Sequence, residues 1–98
     1  MRRRYLVAYD VSDAGRLRRT FRLMNGYGDA VQYSLFVCDL SEVERQLMRE
    51  RLSAVINLKL DRVLIVDLGA ADSRLAASFD VLGRQLAVGR DSYQATIL

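Results

Sequence analysis

The stretch AVQYSLFVCDL, residues 30–40, constrains the fold most, because it lies between two segments of helical period. Before it, Leu17, Phe21 and Met24 recur at i, i+4 and i+7, one face of a helix over residues 14–25. After it, Ser41 with Glu44 three residues on is a capping-box signature, opening a helix that runs to about residue 56. Leu47, Met48, Leu52 and Val55 form its inner face, and Arg51 falls within that arc and must snorkel or find a partner. YLVAYDV (5–11) and DRVLIVDLG (61–69) read as strands at either end. If residues 30–40 turn at Tyr33 and Ser34 rather than forming one long strand, the order is βαββαβ. That order predicts an α+β sandwich of the ferredoxin-like kind, helices on one face of the sheet. Ser12 or Asp13 can cap the first helix, and NGYG (25–28) ends it with two glycines able to take positive φ.

The C-terminal part exceeds what this sheet needs. Residues 70–78 read as a loop, FDVLG (79–83) as a weak strand, and YQATIL (93–98) as a terminal one. A surplus strand with one apolar face suits pairing with a second chain. We therefore expect one domain over residues 1–98, with 79–98 exchanged at a homodimer interface. Ninety-eight residues, 51 % of them hydrophobic, are enough for one core. No apolar run approaches the ~20 residues of a membrane span, and the N-terminus lacks signal-peptide organisation. Cys38 stands alone, which removes disulfide frameworks and cysteine-based zinc sites and makes a reducing cytoplasm the expected compartment.

Charge is unevenly spread. The chain is +3 overall, yet residues 1–22 carry seven arginines against two aspartates. Arg16, Arg18, Arg19 and Arg22 follow the surface of the first helix. Fourteen of the fifteen basic residues are arginine, whose planar fork suits bidentate contact with phosphate. The pattern points to a polyanion, RNA or DNA, bound by that helix.

Catalytic candidates are few. Asp10 ends a strand that reads as buried, a position where ligands often gather. Asp13 can cap the helix alone, which leaves Asp10 without a structural task. A hard cation such as Mg²⁺, or another divalent ion, suits a carboxylate there, and a two-fold axis would bring two copies of Asp10 to one site. Histidine is absent, so Ser-His and Cys-His nucleophile systems are excluded. No glycine-rich phosphate loop is present. Any hydrolysis would fall to metal-activated water. QYSLF (32–36) alternates polar Gln32 and Ser34 with Tyr33 and Leu35, as on a half-exposed strand.

Taken together, YLVAYDVSD with its strand-terminal Asp10, an Arg-rich first helix, YG before the second strand region, VQYSLF, and DRVLIVDLG followed by VLGR resemble one family. It is the small CRISPR-associated endonuclease that partners the spacer integrase. The chain departs from the family pattern at Val37, where glutamate is common, and at Ala30, where arginine is. The resemblance implies a ferredoxin-like homodimer whose C-terminal strand crosses to the partner's sheet. It also implies a divalent-metal site formed by Asp10 of both chains, with Tyr9, Ser34 and Phe36 supporting it, and a complex with integrase dimers on spacer DNA. Two functions follow: a Mg²⁺-dependent endonuclease on RNA or DNA, or a non-catalytic architectural dimer that bridges integrase dimers.

Overall fold

The computed structural model describes residues 1–71 and 80–84. Its elements run β1 (Arg3–Asp10), α1 (Ala14–Asn25), β2 (Asp29–Gln32), β3 (Leu35–Leu40), α2 (Glu42–Val55) and β4 (Arg62–Ala70). The strands form one sheet in the order β2-β3-β1-β4, every pair antiparallel. This is the ferredoxin-like arrangement expected, with the hairpin turning at Tyr33 and Ser34.

Local chemistry accounts for the helix ends. Asp13 caps α1 by accepting from Arg16 N at 2.9 Å. Ser41 and Glu44 close a full capping box on α2, with Glu44 N donating to Ser41 Oγ at 3.2 Å and Ser41 N to Glu44 Oε1 at 2.8 Å. Arg51 does both things open to it: it stays exposed and donates to the Tyr27 hydroxyl at 3.0 Å.

The glycines after α1 act differently from expectation. Gly26 is right-handed, at φ −81°, so no left-handed turn ends the helix. Gly28 is needed for closeness instead. A Cβ there would lie 2.3 Å from the Val37 carbonyl oxygen and 2.6 Å from Cys38 Sγ.

Strand alternation sorts the sheet into two faces. Tyr5, Val7, Tyr9, Phe36, Cys38 and Leu40 pack with Met24, Met48 and Leu52 of the helices in the buried core. Val63 and Ile65 extend that layer onto β4. The opposite face is built of cross-strand rows, Val37–Leu6–Val66 and Leu35–Ala8–Leu64. On it Leu64 and Val66 remain 54 % and 44 % exposed. Leu68 is an extra residue in β4, since Arg4 pairs with Gly69 and Tyr5 with Asp67.

Residues 80–84 are irregular, so the strand expected over 79–83 does not form there. Gly83 takes φ 104°, which breaks extended backbone, and Leu82 stands fully in solvent. Residue 79, the terminal strand at 93–98 and most of the loop at 70–78 lie outside the described residues.

Candidate active site

Asp10 is the last residue of the central strand and is exposed. Tyr9 faces the helices, so Asp10 faces the other way, on the side of the sheet that carries Leu6 and Ala8. Its cross-strand partner is Arg62, the first residue of β4. Directly opposed residues of an antiparallel pair share a face, with their Cβ atoms about 5 Å apart. The Asp10–Arg62 row therefore closes one end of the apolar rows, and a second charged row, Arg4–Asp39, closes the other. There Arg4 Nε donates to Asp39 Oδ1 at 2.6 Å and Nη2 to Oδ2 at 2.7 Å, a two-pronged ion pair. No hydrogen bond joins Asp10 to another described residue, and the residue is exposed.

The backbone around Asp10 is tied down from two sides. Tyr9 N donates to Ser34 O at 3.1 Å, and the Tyr9 hydroxyl donates to Tyr33 O. Burial, with Tyr33 nearby, pushes the Tyr9 phenol up to about 12, so at neutral pH it is a donor and not a proton shuttle. Phe36 is fully buried, stacked against Tyr9 and edge-on to Phe21.

On the other side, Asp61 anchors the loop that follows Asp10. Its buried carboxylate accepts from Ser12 N at 3.0 Å, Asn57 N at 2.8 Å and Arg16 Nε at 2.8 Å. The Arg16 guanidinium, more than the two backbone donors, holds the Asp61 carboxyl well below the usual carboxylate range against the opposing effect of burial. Arg16 is thus committed to an internal ion pair. Arg18, Arg19 and Arg22 are exposed on α1, and none is ion-paired among the described residues.

Cys38 is fully buried, and burial pushes its thiol up to about 12. It is a core residue. Among the described residues no three acids, histidines or cysteines cluster as metal ligands.

Comparison with known proteins gives the family and agrees with the fold. The profile of the CRISPR associated protein Cas2 family matches residues 1–76. The chain belongs to the Cas2 family. A Rhodospirillum rubrum relative named CRISPR-associated endoribonuclease Cas2 1 is 40 % identical over 87 residues, 83 % of this chain and 85 % of that protein. A Thermodesulfovibrio yellowstonii protein, CRISPR-associated endoribonuclease Cas2 2, is 46 % identical over 68 residues, 69 % of this chain and 75 % of its own. Among solved structures, Streptococcus pyogenes Cas2 superposes with a TM-score of 0.71 at 28 % identity, covering 82 % of this chain and 99 % of that one. A hypothetical protein from Thermus thermophilus gives 0.74 at 31 % identity, covering 90 % and 99 %.

Within this Cas2 fold, sequence reasoning singled out Asp10 but did not place Arg62 opposite it. The signal existed: Arg62 opens the last strand of the βαββαβ order, and that strand must lie beside the first. Only the register, though, sets Arg62 opposite Asp10.

Proposed function

We propose that this Cas2 protein is a metal-dependent endonuclease of CRISPR adaptation that works as a homodimer. The observation that carries the proposal is the Asp10–Arg62 row, an exposed carboxylate and an exposed guanidinium at the rim of an apolar sheet face. The names of the relatives, endoribonucleases and an endonuclease, support the chemistry.

Leu64 and Val66 give two protomers a reason to pack their sheet faces together. A two-fold axis through that face would bring the two copies of Asp10 towards one another. The residues fit a divalent ion as half of a shared site, since Asp10 is exposed with no hydrogen bond among the described residues and a hydrated hard cation needs few protein ligands. Mg²⁺ held by Asp10 of both protomers would supply water activation and charge neutralisation at the phosphate.

The chain's own residues do the rest. Arg62 grips a non-bridging phosphate oxygen and offsets the charge that grows as water adds to phosphorus and the ester oxygen leaves. Arg18, Arg19 and Arg22 hold neighbouring phosphates without reading sequence. Asp61, by fixing Ser12 and Asn57, keeps the two segments that carry Asp10 and Arg62 in register. The spacer integrase is the partner this reading implies.

Cleavage of labelled RNA and DNA, with and without Mg²⁺, tests the proposal. Asp10→Asn should lower metal-dependent cleavage at least 100-fold while the protein stays folded. Cutting at the wild-type rate by that variant would overturn the metal role. An architectural reading is favoured by one observation, that Asp10 joins no cluster of three or more acids, histidines or cysteines among the described residues. It predicts that DNA binding and integrase bridging survive Asp10→Asn and that neither protein cuts.

A further inference from the structure

The β2–β3 turn carries an aromatic side chain that the fold does not bury. Tyr33 is 48 % exposed. Its ring nevertheless has a fixed position, stacked on Phe21 of α1 with centroids 4.4 Å apart and planes within 9°. Phe21 is held in turn, edge-on to buried Phe36, whose ring stacks with Tyr9. The backbone of Tyr33 is held as well, since its carbonyl accepts from the Tyr9 hydroxyl. With one face on Phe21, the ring turns its other face and hydroxyl edge outward.

The charge around it is placed for a strand of nucleic acid. Arg18 stands three residues before Phe21 and Arg22 directly after it, both exposed. Positions i and i+3 are neighbours on a helix surface, so Arg18 flanks the stack. The turn lies at the end of the sheet where β1 finishes at Asp10, because Tyr9 N bonds to Ser34 O. The other arginine-rich surface, between α2 and β4, is less available: Arg3 is paired with Asp67 and Arg45 with Glu42.

We infer that Tyr33, clamped on Phe21, is a stacking platform for one unpaired nucleobase of a single strand whose phosphates lie on Arg18 and Arg22. A rigid ring loses little entropy when a base stacks on it, and each such stack contributes substantially whatever the base. Duplex DNA keeps its bases inside and has none to give. The platform therefore favours single-stranded over duplex ligands at the Asp10 end of the sheet. The inference rests on nucleic acid being the ligand of this site.

The test is equilibrium binding of the full chain to fluorescent oligonucleotides without divalent ion, so that nothing is cut. The ligands are a single strand, as RNA and as DNA, an abasic strand of equal length, and a duplex. Tyr33→Ala should raise Kd for the base-bearing strand about 5- to 150-fold. Tyr33→Leu, which still covers Phe21, should do the same, and Tyr33→Phe should stay within about twofold of wild type. None should change binding to the abasic strand or the duplex. Equal loss on the abasic strand, or no loss on the base-bearing one, overturns the platform while nucleic-acid binding stands. Wild-type protein that binds no strand at all overturns the nucleic-acid reading itself and the platform with it.

Discussion

Asp61 shows how one side chain can organise a site without belonging to it. It accepts from three separate places, the loop after β1, the first turn of α1 and the start of the α2–β4 connection. Replacing it with alanine strands Arg16 and leaves two backbone donors without their acceptor. We expect Asp61→Ala to lower the melting temperature by on the order of 5–15 °C, measured by circular dichroism. The same residue sets an acid limit. Its folded carboxyl titrates below its unfolded one, so it stabilises the fold above the ordinary value near 3.9 and loses that effect as pH falls through the lower, folded value. Asp13, Asp67, Glu42 and Glu44 are shifted in the same direction by their hydrogen-bond donors. Stability should be level from neutral pH to about 5 and fall below about 4. Asp61→Ala should flatten that fall in acid melts, and an unchanged acid profile would show the carboxylate to be energetically idle.

The helices were legible from the sequence because their signals are local. Two residues three positions apart define the Ser41–Glu44 box, and Leu17, Phe21 and Met24 mark the inner face of α1 within two turns. What crosses the chain was not legible. Nothing near Arg16 says that its partner is Asp61, and nothing near Asp10 says that Arg62 lies opposite, because strand register emerges only when distant segments pair. Gly28 belongs with these. Its neighbours suggested a left-handed helix stop, while its actual constraint comes from β3 passing against it. Gly28→Ala should therefore cost about 1–3 kcal/mol through overpacking, read by urea melts. The obstacle includes a backbone carbonyl, which cannot swing aside as a flexible side chain can. A variant as stable as wild type would mean that β3 moves away freely.

For the whole molecule, the decisive asymmetry is between the two faces of the sheet. One is roofed by α1 and α2; the other offers Leu64 and Val66 to whatever lies against it. Charge placed there should act on assembly rather than on the fold, since neither residue belongs to the buried core. Leu64→Glu with Val66→Lys is expected to raise the dimer dissociation constant at least 100-fold in sedimentation experiments while helix content stays constant. Under the proposed shared site, cleavage should fall with dimer population, because each protomer would bring one Asp10. A monomeric variant that cuts as well as wild type would refute the shared site.

The position of β1 also orders events in time. β1 is made before the other described strands yet is an inner strand of the sheet, and its two neighbours, β3 and β4, are made later. β1 and β4 begin about sixty residues apart, so the chain must close a long loop before the sheet is complete. At about 5–20 residues per second, the newborn β1 waits several seconds with an open hydrogen-bonding edge. Synthesis paused before residue 62 would leave Tyr5, Leu6 and Val7 able to join the wrong strand. Codon speed across residues 56–70 should therefore affect the soluble yield of this protein more than equal changes placed after the sheet is closed.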